Sequence, residues 1–136
     1  FFLGYNRFIS VAAPEHPLAA LDAIHADTLK QHRQIVHRSI GGKELWFSNT
    51  ISLQCWYANS YFAAIEFVLR NVGWADIPEK LVAPLLQEGR LKRLKLDAEP
   101  HGNLITVVGL QSHSHRPGAI TAYLVNELKH YWQHEK

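Results

Sequence analysis

The sequence predicts an α/β fold in which helices pack on both faces of a largely parallel sheet. Short apolar segments with the alternation or composition of strands are followed repeatedly by segments of helical periodicity. Glycine and proline residues separate these segments at short intervals. Strands that alternate with helices typically form parallel sheets covered on both sides. A length of 136 residues and an apolar content of 47% suffice for one domain, or for one domain with pieces of a second.

The predicted elements begin with a strand at Phe8–Ala13, which Pro14 ends. Pro17 then opens a short helical stretch, and Asp27 is expected to begin another helical turn. Gln34–His37 is the next predicted strand.

The middle of the chain contains a turn, two strands and a helix start. Gly41 and Gly42 mark the turn, and Leu45–Phe47 is expected to form a short strand. Leu53–Ala58 is predicted to be a strand from its aromatic content. Asn59 or Ser60 is a good N-cap for the helix that follows.

That helix is expected to end at Gly73, in the left-handed conformation that closes many helices. Phe62, Ile65 and Leu69 lie along its apolar stripe. Asp76 belongs to the otherwise apolar strand Trp74–Ile77, so we expect it to face solvent or to cap the next helix. The remaining predicted elements are a helix opened by Pro78, bent or divided at Pro84 and ended by Gly89, strands at Leu91–Leu96 and Leu104–Leu110, and a last helix from about Pro117 with Ile120, Leu124, Leu128 and Tyr131 on one face.

Composition and charge exclude several classes of function. No run of about 18 apolar residues is present, so no membrane span is expected. The single cysteine, Cys55, excludes an internal disulfide framework and indicates a cytoplasmic protein. The net charge of +2 is too small to indicate nucleic-acid binding, so we expect no DNA binding by this chain itself.

Three stretches together resemble the effector-binding (substrate-binding) domain of LysR-type transcriptional regulators. The first is Pro14–Ala19, PEHPLA, directly after a hydrophobic strand. The second is Leu69–Leu94, with a helix end, a turn containing glycine, a short strand ending in proline, a helix and a strand introduced by G-x-L. The third is a strand followed by an amphipathic helix that Pro117 and Gly118 open.

The resemblance implies a type 2 periplasmic-binding-protein-like fold, in which two lobes joined by crossing strands hold an effector between them. Residues 1–14 would form the first crossover strand, 15–98 the second lobe, and 99–136 the return strand and C-terminal helix. The N-terminal helix-turn-helix and most of the first lobe would lie outside this sequence. The family usually has a full helix between the strands predicted at Gln34–His37 and Leu53–Ala58, whereas the intervening sequence here is glycine-punctuated and poor in helical period.

The resemblance also implies a ligand and partners. The effector is expected to be a small carboxylate or an aromatic acid, self-association as a dimer or higher oligomer is expected, and DNA would be bound only through the missing helix-turn-helix. Backbone N–H groups at a turn or at a helix start favour anions independently of the resemblance. The candidate ligand-binding residues are therefore Ser39 and Ile40 at the turn, Asn59, Ser60 and Tyr61 at the helix start, and Ile77 as apolar wall.

Structural roles compete with these assignments. Asn59 and Ser60 would serve equally well as helix caps, and Ser39 with the two following glycines as a plain turn. His130 and His134 are four apart on one helix and could share a metal ion, but no third ligand accompanies them, so neither a metal nor a cofactor is expected. No recognisable catalytic motif is present, so an enzyme is not expected. The alternatives are a solute-binding protein of the same fold and a dimerisation module without a ligand.

Overall fold

The computed structural model describes residues 1–41, 50–98, 103–114, 116 and 118–134. The chain forms two compact units, a larger one at Arg7–Asn103 and a smaller one that combines Phe1–Asn6 with Leu104–Lys136. The strand expected at Leu45–Phe47 and the helix start expected at Pro117 lie outside the described residues.

Strands and helices alternate along most of the chain, and the predicted α/β class is confirmed. None of the described helices is both long and apolar enough to cross a membrane. The elements are β1 (Phe2–Ala12), a 3-10 helix (Pro17–Ala20), α1 (Ala26–Lys30), β2 (Gln34–His37), β3 (Cys55–Ala58), α2 (Tyr61–Leu69), β4 (Ala75–Pro78), α3 (Glu79–Gln87), β5 (Lys92–Arg93), β6 (Asn103–Val108) and α4 (Ala119–His134).

The strands of the larger unit lie in the order β3–β2–β4–β1–β5. β2 pairs with β3 in parallel, whereas β1 pairs with both β4 and β5 in antiparallel register. A parallel bridge joins the two parts: the Ile35 N–H donates to the Trp74 carbonyl at 2.8 Å, and the Trp74 N–H donates to the Arg33 carbonyl at 3.0 Å. The prediction of a parallel sheet is thus confirmed for β2, β3, β4 and β5, which all run in the same direction. β1, which lies between β4 and β5, runs in the opposite direction to these four strands. The direction of β1 was not predictable because neither β4 nor β5 follows it directly in the chain.

Two hydrophobic cores lie on opposite faces of this sheet, because successive side chains of a strand point in opposite directions. Ile9 and Val11 of β1 belong to the main core with residues of α2 and α3, while Ala12 belongs to the second core. The second core contains Ala12, Leu18, Ile24, Leu29, Trp74 and Leu94.

The end of α2 differs from the prediction. Asn71, with a φ of 58°, adopts the left-handed conformation that was expected of Gly73. Asparagine tolerates this region better than most residues. Gly73 is instead required by a close approach, since a Cβ there would lie 2.4 Å from the Arg33 carbonyl oxygen.

The other predicted helix features are partly confirmed. Ser60 caps α2, Gly89 has a φ of 71° after α3, and Pro84 lies inside α3 without dividing it. Pro78 is the N-cap of α3 and not its first helical residue. The buried side chains of α2 are Ala64, Ile65 and Val68, whereas Phe62, expected on the apolar stripe, is 75% exposed.

In the smaller unit, β6 pairs with β1, and the Gly109 N–H donates to the Phe1 carbonyl at 2.7 Å. α4 is amphipathic as predicted, but none of its side chains is buried. The exposed large apolar side chains on α4 are Ile120, Tyr123, Leu124, Leu128 and Tyr131.

Gly73→Ala should destabilise the larger unit by about 1–3 kcal/mol, because the added methyl group forces the chain away from the Arg33 carbonyl and strains the bridge between β2 and β4. Urea denaturation of the wild-type protein and of Gly73→Ala would measure the loss in free energy of unfolding. Gly118→Ala is the matched control, since a Cβ there meets nothing within 4 Å. Equal midpoints for the two variants would contradict the requirement for glycine at position 73.

Stability should also fall in mild acid because of His16. Its Nδ1 accepts a hydrogen bond from the Leu18 N–H at 3.1 Å, and its ring lies 5.3 Å from that of His32. Burial, and then the neighbouring His32, lower the pKa of His16 below its usual value, although Glu15 acts in the opposite direction. The unfolded chain therefore binds the proton more readily, and stability is lost as pH falls below about 6.5 toward the lower folded pKa.

Urea midpoints measured across this pH range would test that expectation. In His16→Gln, the urea midpoint should fall less steeply with decreasing pH than in the wild-type protein. In His134→Gln, which changes a residue on the exposed α4, it should fall as steeply as in the wild-type protein. An unchanged slope in His16→Gln would show that the acid sensitivity arises elsewhere.

Candidate functional site

Three of the predicted ligand-binding residues lie together at the carboxyl ends of β2 and β3. Ser39, Ile40 and Asn59 line an open groove of about 430 Å³. The other residues that line this groove are Arg38, Tyr57, Ala58, Ala63 and Phe67. Carboxyl ends of parallel strands are the usual binding edge of such sheets, which is why the turn and the helix start converge there.

The groove offers polar groups suited to an anion but little enclosure. The Arg38 guanidinium stacks on the Tyr57 ring at 3.4 Å from its centroid, so a positive charge is held at the groove wall. Ser39 is half-buried, Asn59 is exposed, and Ile40 is 91% exposed. An anion bound here would stay in contact with water, which weakens each electrostatic contact.

The remaining three predicted site residues have other surroundings. Ser60 caps α2 by accepting a hydrogen bond from the Ala63 N–H at 3.1 Å, which is the structural role considered for it. Ile77 is 1% exposed in the main core, opposite Ile9 in the β1–β4 pairing, and does not line the groove. Tyr61 stands at the start of α2 among aromatic side chains.

The aromatic cluster around Tyr61 has a specific geometry. The Tyr61 ring stacks on His37 with centroids 4.3 Å apart and meets the edge of Phe8 at 6.1 Å. Burial, and then the charge of Asp76, raise the pKa of Tyr61 to about 12. The phenol therefore remains protonated at neutral pH and can act as a hydrogen-bond donor.

A more enclosed cavity lies on the face of the sheet that carries the second core, and the sequence analysis missed it. Its volume is about 130 Å³. Trp74, Leu29 and Ile24 form part of its wall and are fully buried or nearly so. The complete lining consists of Ser10, Ile24, Ala26, Leu29, Ile51, Trp74, Asp76, Leu96, Asp97, Ala98 and Asn103.

The polar groups of this cavity are few and come from distant parts of the chain. The Ser10 hydroxyl donates to Asp76 Oδ1, because the two residues face each other in the β1–β4 register. Asp97 also lines the cavity and pairs with Nδ1 of His25. The expectation that Asp76 faces solvent or caps α3 is wrong. Strand alternation carried the missed signal, since it puts Asp76 on the same face as Trp74.

The histidines that the structure describes form no metal centre. In the part of the chain that the structure describes, no group of three or more His, Cys, Asp or Glu side chains is arranged to hold a metal ion. The rings of His130 and His134 lie 4.1 Å apart edge to face.

The family model described as the LysR substrate binding domain matches residues 2–128. The chain belongs to this family. The model covers nearly the whole chain, so the resemblance seen in the three stretches is confirmed. The chain is an effector-binding domain of a LysR-type transcription regulator.

Individual relatives extend this assignment. The chain is 29% identical over 100 residues to the multiple virulence factor regulator MvfR of Pseudomonas aeruginosa, an alignment that covers 74% of this chain and 30% of MvfR. The regulatory domain of NMB2055 (MetR), a LysR family regulator from N. meningitidis, aligns with a TM-score of 0.58 at 22% identity over 78% of this chain and 50% of that one. The Synechocystis PCC6803 CcmR regulatory domain, in complex with 2-PG, aligns with a TM-score of 0.68 at 14% identity. This alignment covers 99% of this chain and 67% of the CcmR domain.

These alignments bear on fold and on length. At such identities the two solved structures show a shared fold, the periplasmic-binding-protein-like α/β architecture of LysR effector-binding domains. The chain spans less than a third of the length of MvfR and half of the MetR regulatory domain.

Tyr61 should ionise near pH 12, well above the usual value of about 10 for tyrosine. Since its folded pKa is raised, Tyr61 contributes stability below about pH 10 that is lost as the pH rises further. The ultraviolet difference between the wild-type protein and Tyr61→Phe, followed through an alkaline titration, isolates this phenol. Ionisation near pH 10 while the protein is still folded would contradict the buried, stacked environment described here.

Proposed function

We propose that this chain senses a small-molecule effector, and that effector binding changes how the intact regulator binds DNA. The observation that carries the proposal is the enclosed cavity beside Trp74, with apolar walls and a small set of polar groups. Small-molecule sites in proteins have this composition, because apolar walls supply affinity and a few polar groups supply orientation.

The cavity is a better receptor than the groove for physical reasons. A ligand beside Trp74 is more enclosed than one in the groove, so it buries more of its apolar surface and gains a larger hydrophobic contribution. A ligand beside Arg38 remains largely solvated. The groove at Ser39, Ile40 and Asn59 is retained as a second proposed ligand site, suited to a small carboxylate or an aromatic acid.

The proposed switch works by differential affinity. A ligand shifts an equilibrium between two conformations only as far as it binds one of them more tightly. Residues 1–14 and 99–136 are proposed as the strands and helix that link the second lobe, residues 15–98, to the rest of the effector-binding domain. A DNA-binding helix-turn-helix and most of the first lobe would be supplied by parts of the regulator outside this sequence.

Self-association is proposed as well, and the apolar side chains of α4 favour it. Large contiguous apolar surfaces commonly mark places where another protein surface packs. Leu124, Leu128 and Tyr131 recur at helical spacing and are between 46% and 57% exposed.

The solved CcmR domain contains 2-PG, which supports ligand binding as a property of domains with this fold.

Obstructing the cavity should abolish ligand binding with little loss of stability. Ala26 lines the cavity and is exposed at the start of α1, so Ala26→Leu should fill the entrance without disturbing either core. A thermal-shift screen of small aromatic compounds on the full-length protein would identify ligands. Specific binding at a hundredfold excess over Kd stabilises the folded protein by about 2.7 kcal/mol.

Ala23→Leu is the matched control, since Ala23 is also exposed but does not line the cavity. Ligands of the wild-type protein should still bind to Ala23→Leu and should fail to bind to Ala26→Leu. Retained binding by Ala26→Leu would move the ligand site elsewhere, with the groove as the next candidate. If no compound binds the wild-type protein, a dimerisation module without a ligand becomes the better description.

A further inference from the structure

We infer that the cavity beside Trp74 selects a small apolar ligand that carries a protonated amine, and that it rejects a carboxylate of the same size. The inference rests on the proposed function, because it assigns a ligand chemistry to the proposed effector cavity. It reverses, for this cavity, the carboxylate expected from the family resemblance.

The polar lining of the cavity is acidic. Asp76 and Asp97 both line it, and no Lys, Arg or His is among the described residues that do so. A carboxylate ligand would therefore be brought next to two like charges in a partly dehydrated site, which is unfavourable. A protonated amine would gain attraction and hydrogen bonds from the same groups.

The hydrogen bond between Ser10 and Asp76 makes the cavity floor an acceptor surface. A serine hydroxyl has one proton, and that of Ser10 is donated to Asp76 Oδ1. Ser10 therefore presents only lone pairs to a ligand. An ionised carboxylate accepts about four hydrogen bonds, so Asp76 can accept another from a ligand in addition to those it already makes.

Charged side chains of neighbouring elements lie near Asp76 and Asp97 but outside the cavity lining. Arg93 of β5 lines an adjoining recess together with Ser10 and Asp76, but it does not line the cavity itself. His25 pairs with Asp97 outside the cavity lining, and Lys95 lies 3.6 Å from the exposed Asp22. The charge of Asp76 is also felt at Tyr61, where it contributes to raising the pKa of the phenol.

The dimensions of the cavity limit the ligand. A volume of about 130 Å³ is close to that of engineered apolar cavities that bind benzene, about 150 Å³. A single ring with a one-carbon arm therefore fits, with the ring against Trp74 and Leu29 and the arm toward Asp76.

Three probes of similar size, each with one ring and a one-carbon arm, test the inference on the full-length protein by isothermal titration calorimetry. Benzylamine is cationic, benzyl alcohol is uncharged and benzoate is anionic at neutral pH. Benzylamine should bind at least about tenfold more tightly than benzoate, since a hydrogen bond to a charged partner contributes that much or more. Benzyl alcohol should fall between them.

Asp76→Asn should remove the preference for benzylamine over benzyl alcohol while both still bind. Asp22→Asn, which removes an exposed carboxylate outside the cavity lining, should keep the preference. Ser10→Ala retains the carboxylate and should also keep the preference. If Asp76→Asn fails to fold, the comparison of benzylamine with benzoate on the wild-type protein still tests the inference.

Different results would overturn the assigned ligand chemistry and the cavity as a binding site. Benzoate binding as tightly as benzylamine, or an unchanged preference in Asp76→Asn, would overturn the assigned ligand chemistry and leave the cavity as a binding site. Absence of binding by all three probes, benzyl alcohol included, would overturn the cavity itself and the inference with it.

Discussion

The close approach of the chain at Gly73 and Trp74 to β2 is the constraint on which the larger unit depends. Backbone hydrogen bonds between Trp74 and its neighbours Arg33 and Ile35 join the β2–β3 pair to the strands around β1. The Trp74 indole is fully buried, and its N–H donates to the carbonyls of Leu29 and His32, both at 3.3 Å. One residue thus links the sheet, the second core and the proposed ligand cavity.

Features set by local chemistry could be predicted from the sequence. Gln34–His37 forms the predicted strand with the predicted bounds, Ser60 caps α2, and Gly89 adopts a positive φ. Features set by tertiary contact could not. The antiparallel direction of β1 depends on which strands become its neighbours, and the need for glycine at position 73 arises from the Arg33 carbonyl, which is distant in the chain.

The candidate site also combines features that the sequence predicts with features that depend on tertiary contact. Ser39 and Asn59 follow neighbouring parallel strands, so their meeting in one groove could be expected from topology alone. The cavity requires Ser10 and Asp76 to be paired across β1 and β4, and that register is invisible in a single sequence. Asp76 in an apolar strand was the available signal. Solvent exposure was the natural interpretation of it, because the partner residue was unknown.

The most direct test of the account is to locate the ligand with the tryptophan side chains as reporters. The sequence contains four tryptophans, of which Trp74 lines the cavity and Trp56 packs against Phe67 of the groove at 5.7 Å. Indole N–H resonances of the full-length protein, assigned by Trp74→Phe and Trp56→Phe, would be followed while benzyl alcohol is added. If the ligand binds in the cavity, the Trp74 resonance should shift and saturate while the Trp56 resonance stays in place. A saturating shift of Trp56 with Trp74 unmoved would contradict it and assign ligand binding to the groove.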